Sequence, residues 1–355
     1  MLNKILLVIW FILRPKYYLH FISLIKRKFL FNHDTLENSK KAFEWAKVNS
    51  IPYVDALEKL NISGELVGLD NESIMEGQKL AAKSSVKMGG SGHIHLLYDC
   101  VRLLKVNNVI GDIEFKNVSL FYPETQIKAI NNLSIKIKAG TTLGVIGKVG
   151  SGKSSFLELI TRFYDPTDGV IEIDGINIKD FNLEKLRKNI GYVPQNPFLF
   201  SESIKENIQY GLKNADDYKT IDASRKAVIH EDIINFKKGY KTILGERGVT
   251  LSGGQIQRVS IARVFIKNPK IYLFDDCLSA VDNNTEEKIL KNLKSISNNK
   301  TTIIVSHRIS SLKHADQIIV FENGKIVQQG KHIDLIGVTG YYKELFEKQQ
   351  ADQAK

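Results

Sequence analysis

The stretch that decides the fold is TTLGVIGKVGSGKSSFLELI, residues 141–160. An apolar run typical of a central strand ends at Gly147, and a helical pattern follows Lys153. The loop between them matches G-x-x-x-x-G-K-[ST], in the strand-loop-helix context that this pattern requires. In such a loop the backbone N–H groups turn inward, and the positive end of the following helix points to the same place. The stretch therefore predicts a phosphate-binding loop.

The side chains of this loop predict a site for a nucleotide with Mg²⁺. We expect Lys153 to reach the outer phosphates and the Ser154 hydroxyl to coordinate the metal. A glycine-rich turn with an incidental lysine is the alternative, and the flanking strand and helix argue against it. The other residues that we expect around the nucleotide are Gly147, Gly150, Ser151, Gly152 and Ser155.

A second apolar strand ends in two adjacent carboxylates, in IYLFDDCLSAVD at residues 271–282. Because Mg²⁺ keeps several waters that an acid can anchor, Asp275 is the expected metal-side carboxylate. An acid after an apolar strand is by itself more often a helix cap or an exposed turn. The presence of a phosphate-binding loop makes the metal role the better interpretation. The second acid, Asp276, is in a position to activate a water molecule.

The chain divides into two regions of different character near residue 110. Residues 1–110 read as helices with polar breaks, whereas strands and helices alternate from Gly111 onward. DIEFKNVSLFY and AINNLSIKIKAG have the alternation of half-exposed strands, and TTIIVSH reads as a further central strand. QIIVFENGKIVQQG predicts a hairpin that turns at Asn323 and Gly324. The second region is therefore predicted to be an α/β domain with a largely parallel sheet.

Composition limits the class of protein. The 355 residues are 43% apolar and carry a formal charge of +11, which suits a membrane surface or nucleic acid without distinguishing them. Because nucleic-acid binding rests on net charge alone, we expect no nucleic-acid partner. Cys100 and Cys277 lack metal-ligand spacing, so a disulfide framework or zinc site is not expected. The apolar run at residues 5–13 is too short to span a membrane and favours a helix at the membrane surface.

Between the loop and the acidic strand lies LSGGQ, residues 251–255, at the start of a helical pattern. Its serine and two glycines make it a second anion-binding helix terminus. With these motifs, residues 111–350 resemble the nucleotide-binding domain of an ATP-binding cassette (ABC) transporter. The resemblance implies an α/β P-loop NTPase with a RecA-like core, an antiparallel β-subdomain and a helical signature subdomain at about residues 196–265. Residues 351–355 would form a tail.

The resemblance implies roles for several residues. Tyr122 would stack on adenine, although a tyrosine at a strand edge is the alternative. Two such domains would close head to tail around Mg-ATP, with Asp282 at their interface and the signature of one domain over the nucleotide of the other. The implied capping residues are Ser252, Gly253, Gly254 and Gln255. The implied catalytic residues are Gln195, Asp276 and His307, and the implied Mg²⁺ ligands are Ser154, Gln195 and Asp275.

The sequence departs from the exporter pattern at Asp276, where most exporters have a glutamate. Aspartate withdraws the carboxylate by one methylene, and a misplacement of ~1 Å can cost about 100-fold in rate. We therefore expect slowed hydrolysis. The resemblance is to exporters with unequal sites, in which such a subunit pairs with one that bears the glutamate. A slow but active homodimer is the alternative.

The N-terminal region is the second departure, since exporter chains carry membrane helices before the cassette and none is expected in this sequence. GHIHLLYDCVRLLKVNNVI, residues 92–110, weakly resembles the start of an S-adenosylmethionine-dependent methyltransferase, but the glycine-rich loop that should follow is missing. We expect either a fusion or truncated chimera, or an unfamiliar N-terminal domain.

The prediction is an ATP-binding and ATP-hydrolysing module of an exporter-like ABC transporter at the cytoplasmic face of the cell membrane. Its partners would be a second ABC ATPase domain and a transmembrane domain that this chain does not encode, either separate or lost. The segments FSESIKENI and GERG favour this exporter interpretation. The alternative is a non-transport ABC module, either a soluble regulatory ATPase or an ATP-gated interaction domain, which the bare N-terminal region and Asp276 favour.

Overall fold

The computed structural model of the protein describes residues 109–122, 124–212, 214–245 and 250–353. The residues from Val109 onward form one compact unit. The expectations for residues 1–108, namely a mostly helical region, a short apolar helix and a methyltransferase-like segment, lie outside the described residues. So does most of the GERG segment. Within the described ranges, no helix is long and apolar enough to cross a membrane.

The described residues contain ten strands and ten α-helices. The strands are β1 (Ile113–Tyr122), β2 (Ile127–Ile137), β3 (Thr142–Gly147), β4 (Asp168–Ile173), β5 (Ile176–Asn177), β6 (Ile190–Val193), β7 (Ile271–Asp275), β8 (Thr301–Val305), β9 (Gln317–Glu322) and β10 (Lys325–Gly330). The helices are α1 (Lys153–Ile160), α2 (Leu183–Lys188), α3 (Ile204–Gln209), α4 (Asp217–Lys226), α5 (His230–Asn235), α6 (Gly253–Lys267), α7 (Asn283–Ile296), α8 (Ile309–Leu312), α9 (His332–Ile336) and α10 (Tyr341–Gln353).

The strands form two sheets. The smaller sheet is antiparallel, with the order β2-β1-β4-β5. The larger sheet has the order β10-β9-β3-β8-β7-β6, and its strands are parallel except for β10, which pairs antiparallel with β9. These sheets confirm the predicted α/β class with a largely parallel core and an antiparallel β-subdomain.

The burial of the strands explains their sequence patterns. Every residue of β7 and β8 is buried, so both faces of these strands are covered and the sequence is continuously apolar apart from two threonines and the last acid. In β1 buried and exposed residues intermix, because one face of the smaller sheet meets water. The predictions of central strands at β3, β7 and β8 are confirmed.

Helix α1 joins the two sheets at the site of the phosphate-binding loop. Its fully buried Phe156 packs against Phe115 of the smaller sheet, with ring centroids 4.8 Å apart. The same ring lies 5.5 Å from the ring of Phe321 in the larger sheet. Offset and tilted aromatic contacts of this kind stabilise a core beyond the buried area alone. The start of α1 is thereby fixed relative to both sheets.

The predicted hairpin turn at Asn323 and Gly324 is confirmed, and it also supports the phosphate-binding loop. The Gly324 N–H donates a hydrogen bond of 3.0 Å to the carbonyl of Ser151. The Gly324 carbonyl accepts one of 2.9 Å from the N–H of Asn131 in β2. Gly324 has φ +74°, a conformation that favours glycine. The turn therefore ties the loop to the smaller sheet.

Candidate functional site

The loop that joins β3 to α1 depends on glycine for its path. Gly152 has φ +104°, and a Cβ atom there would lie 2.4 Å from the carbonyl oxygen of Ala129. Only glycine allows both that conformation and that approach. Gly150, with φ +77°, faces open space. The loop thus begins α1 with unblocked backbone N–H groups, the arrangement that binds anions.

Lys153, the first residue of α1, is buried under this loop. Its Nζ donates to the carbonyls of Gly147 and Lys148, at 2.9 and 2.7 Å. Burial lowers the pKa of the ammonium group, while the negative charges of Asp275 and Asp276 oppose that shift. A single lysine therefore provides positive charge between the loop and the two acids.

Asp275 ends β7 directly beside the start of α1. Its carboxylate accepts hydrogen bonds from the Ser154 hydroxyl and from the Tyr192 hydroxyl, the latter at 3.4 Å. Burial raises the pKa of Asp275. The two hydrogen bonds and the positive charge of Lys153 counteract that rise. The structure therefore brings together Ser154 and Asp275, both predicted as metal ligands. Tyr192, on neighbouring β6, was not predicted, because nothing in its local sequence indicates a contact 83 residues away.

Asp276 turns away from Asp275 toward the loop after β8. Its backbone has φ +44°, and its N–H donates to the carbonyl of Val305 at 2.9 Å. Its carboxylate oxygen Oδ1 accepts the backbone N–H of His307 at 3.4 Å. Burial raises the pKa of the Asp276 carboxyl, whereas His307 and Lys153 lower it. The two neighbouring acids therefore have different partners, and Asp276 lies beside the predicted switch histidine.

Tyr122 lies at the end of β1, close to α1. Its hydroxyl donates to Ser155 at 3.1 Å and contacts Glu158 at 3.3 Å. Its ring meets that of Tyr164 edge-on, with centroids 5.0 Å apart. The aromatic residue predicted at adenine is therefore held beside the phosphate-binding helix. Gln195 is exposed and lies two residues beyond the end of β6.

The LSGGQ segment begins helix α6 with a capping box. The Ser252 hydroxyl accepts the N–H of Gln255 at 3.3 Å, and the Gln255 side-chain oxygen accepts the N–H of Ser252 at 3.0 Å. The Gln255 amide nitrogen donates to Asp232 of α5, which also pairs with Arg258 at 2.8 Å. Ser252 and Gly253 are exposed. The signature thus presents a rigid, exposed helix terminus.

The signature and the phosphate-binding loop do not form one site within the chain. In the ranges that the structure describes, no hydrogen bond or ion pair joins residues 252–255 to residues 147–154. Instead, the signature helix contacts the loop that follows Asp276. The Gln257 side chain accepts the N–H of Ala280 at 3.2 Å, and a Cβ on Gly254 would lie 2.8 Å from the Ala280 carbonyl. Exposed Asp282 caps α7 by accepting the N–H of Thr285 at 3.0 Å.

Arg308 connects the His307 loop to the same segment, and sequence reasoning missed it. Its guanidinium donates to the carbonyls of Ser279 and Val281, each at 3.0 Å. It also forms an ion pair with Glu286 of α7, which is almost fully buried and accepts a further hydrogen bond from Ser311. The only local signal was its position directly after the predicted switch histidine.

The residues at the end of β7 suit Mg²⁺. This ion prefers oxygen ligands and is bound by one or two carboxylates together with substrate phosphates and water. Ser154 and Asp275 offer a hydroxyl and a carboxylate already in contact with each other. In the described part of the chain, no group of three or more His, Cys, Asp or Glu side chains could hold a metal. Ser154 and Asp275 alone are too few to surround the ion. A site in which a nucleotide supplies further ligands therefore fits these residues better than a site made of protein ligands only.

Comparisons with known proteins agree with the motifs. A family model described as ABC transporter matches residues 130–279. The ABC transporter ATP-binding protein YknU of Bacillus subtilis (strain 168) is 43% identical over 81% of this chain and 48% of that protein. The putative multidrug export ATP-binding/permease protein YgaD of the same organism is 43% identical, over 68% of this chain and 42% of that protein.

Among solved structures, a bacterial Atm1-family ABC exporter with ATP bound is similar, with a TM-score of 0.66 and 32% identity. The similarity covers 84% of this chain and 51% of that one. The chain spans about half the length of YknU and of this exporter.

Proposed function

We propose that the chain, whose residues 130–279 match the ABC transporter family model, binds Mg-ATP and hydrolyses it to drive an exporter. The observation that carries the proposal is the meeting of three elements at the carboxyl ends of parallel strands. These are the phosphate-binding loop, the Ser154–Asp275 contact, and Asp276 beside His307. Ligands of α/β proteins bind at this edge of the sheet.

The loop and Lys153 would bind the phosphates of ATP. The backbone N–H groups around Gly152 would supply donors, and Lys153 would exchange its contacts with the loop carbonyls for contacts with phosphate oxygens. Ser154, Gln195 and Asp275 would hold Mg²⁺, which when bound neutralises phosphate charge. Tyr122 would stack on the adenine ring.

Asp276 and His307 would act on the water that attacks the γ-phosphate. A buried carboxylate with a raised pKa is a better proton acceptor at neutral pH than an exposed one. The shorter side chain of aspartate keeps its oxygens closer to the sheet edge, and so farther from the attacking water, than those of a glutamate would be. We therefore propose that hydrolysis is slow.

Two copies of the cassette, or this one and a related one, would form the complete sites. Ser252, Gly253, Gly254 and Gln255 lie outside the phosphate-binding loop of their own chain and present an exposed helix terminus. The start of α6 can bind phosphate but has no phosphate-binding loop beside it. It is therefore suited to contact a nucleotide that another domain holds. Asp282 would lie at that interface. In the same proposal, a membrane-spanning domain completes the transporter, and the cassette lies at the cytoplasmic face of the membrane.

The domain would run from residue 111 to 350, with the helical subdomain at about 196–265 containing α3 to α6. The match to YknU is longer than the stretch from Val109 to the C terminus, so it includes residues before Val109. This supports a transporter origin for part of the N-terminal region rather than a methyltransferase origin. The names of YknU and YgaD favour transport over a non-transport ABC module.

Substitution of Lys153 tests the proposal. Because a hydrogen bond to a charged group contributes about 1.5–3 kcal/mol, Lys153→Ala should weaken Mg-ATP binding by about 10- to 100-fold and abolish hydrolysis. Calorimetric titration and phosphate release by the full-length chain measure both. Lys288→Ala, at an exposed lysine of α7, is the matched control and should behave like the wild type. Unchanged nucleotide affinity in Lys153→Ala would contradict the assignment of the loop.

A further inference from the structure

The C-terminal helix holds the His307 loop through one side chain. The amide nitrogen Nε2 of Gln349 donates to the backbone carbonyl of His307 at 2.7 Å. The amide oxygen Oε1 of the same side chain accepts the backbone N–H of Ile309 at 3.0 Å. Both ends of one planar amide are therefore used, and they fix the backbone on both sides of Arg308.

These hydrogen bonds satisfy backbone groups that have no other partner in the described contacts. Ile309 begins helix α8, and the first N–H groups of a helix have no intrahelical acceptor. Arg308, at the N-cap position, gives no side-chain cap. The Gln349 oxygen takes that place. Without it, the loop would keep the hydrogen bond of 3.0 Å from the Arg308 N–H to the Ser306 hydroxyl and the contacts of the Arg308 guanidinium, but the His307 carbonyl and the Ile309 N–H would lose their side-chain partner.

Helix α10 is a firm support for Gln349. Tyr342, seven residues earlier on the same face, is fully buried, and its hydroxyl is 2.8 Å from Nδ1 of His332. The Tyr342 N–H donates to the Gln328 side chain of β10 at 3.3 Å. Leu345, one turn before Gln349, also packs against the core. The position of the amide is thus set by the packing of the helix on the sheet.

We propose that Gln349 is a positioning residue for the switch histidine, holding the His307 backbone so that its imidazole lies at the proper place beside Asp276. The proposal rests on the ATP hydrolysis proposed above. Gln349 acts through the backbone of His307 and has no contact with the nucleotide site itself. The docking of α10 on the sheet is therefore a condition for hydrolysis and not for nucleotide binding.

Variants at two neighbouring glutamines of α10 test the proposal in the full-length chain. Gln349→Ala removes both hydrogen bonds. Gln349→Glu keeps the acceptor for Ile309 but places a carboxylate against the His307 carbonyl. Gln350→Ala is the matched control, because Gln350 is exposed and makes none of the described hydrogen bonds. Since a misplacement of ~1 Å costs up to about 100-fold in rate, we expect about a 10-fold loss of kcat in both Gln349 variants.

The expected loss is confined to kcat. The KM for ATP and the affinity for a fluorescent ATP analogue should stay within about twofold of the wild type, because Gln349 does not touch the nucleotide site. The melting temperatures of the Gln349→Glu and Gln350→Ala variants, followed by circular dichroism, verify that the domain is folded. Equal losses of affinity and rate, or a kcat unchanged by either Gln349 substitution, would overturn the positioning role.

Amide hydrogen exchange tests the contact without reference to hydrolysis. The peptide that covers residues 305–312 should exchange faster in Gln349→Ala and stay unchanged in Gln350→Ala, because the Ile309 N–H loses its acceptor. Unchanged exchange in Gln349→Ala would overturn the proposal. If the wild type itself released no phosphate, the proposed hydrolysis would fail, while this exchange measurement would still decide whether Gln349 holds the loop.

Discussion

The ion pair between Arg308 and Glu286 is expected to dominate the stability of the loops around Asp276. The Glu286 side chain is 3% exposed and that of Arg308 is 33% exposed. Arg308→Ala would leave the Glu286 carboxylate with Ser311 as its remaining partner and remove the donors to the Ser279 and Val281 carbonyls. Breaking a buried pair from one side costs about 3–5 kcal/mol, and the partial exposure of Arg308 reduces this to about 2–4 kcal/mol.

The loss should be measured as the free energy of unfolding in urea, followed by circular dichroism, and as a fall of about 5–15 °C in melting temperature. The physical cause is the charge left on Glu286. We therefore expect Arg308→Ala to cost about 1–3 kcal/mol less in a Glu286→Gln background than in the wild type. If the two substitutions were additive, the unpaired carboxylate would not be the cause and the reasoning would be refuted.

Two further predictions concern catalysis and the anchor of α10. Asp276→Glu should raise kcat by about 10- to 100-fold without changing nucleotide affinity, because the longer side chain carries the carboxylate forward, and an unchanged rate of phosphate release would contradict this. Burial lowers the pKa of His332, as do Lys313 and His314, so the unfolded chain takes up a proton at a higher pH than the folded chain does. The melting temperature should therefore fall as the pH drops below about 6.5, and His332→Asn should flatten that dependence.

The elements that the sequence predicted are those whose signals are contiguous. The phosphate-binding loop needs a strand, two glycines, a lysine and a helix in a row, and residues 141–160 contain all of them. The hairpin at Asn323 and Gly324 is likewise a local turn. Short strand β6 has only four residues, and its sequence IGYV carries too few alternations to be distinguished from a loop.

The contacts that the sequence could not predict join residues far apart in the chain. The Tyr192 hydroxyl reaches Asp275, and Gln349 reaches His307, 42 residues away. A tyrosine within a short strand and a glutamine near the end of the C-terminal helix have no periodicity or spacing that marks them. The sequence indicated that Asp275 and Asp276 have different tasks. Their physical separation, by a turn with φ +44° at Asp276, appears only in the packed structure.

The segment after Asp276 is held from two sides, and this links the signature helix to the His307 loop. Gln257 of the signature helix accepts the Ala280 N–H, while Arg308 of the His307 loop donates to the carbonyls on either side of it. A displacement of the signature helix therefore reaches the Arg308 guanidinium through a single residue of backbone. Because packed interfaces shift between discrete arrangements and do not deform continuously, we expect a contact made at the signature surface to shift the His307 loop as well.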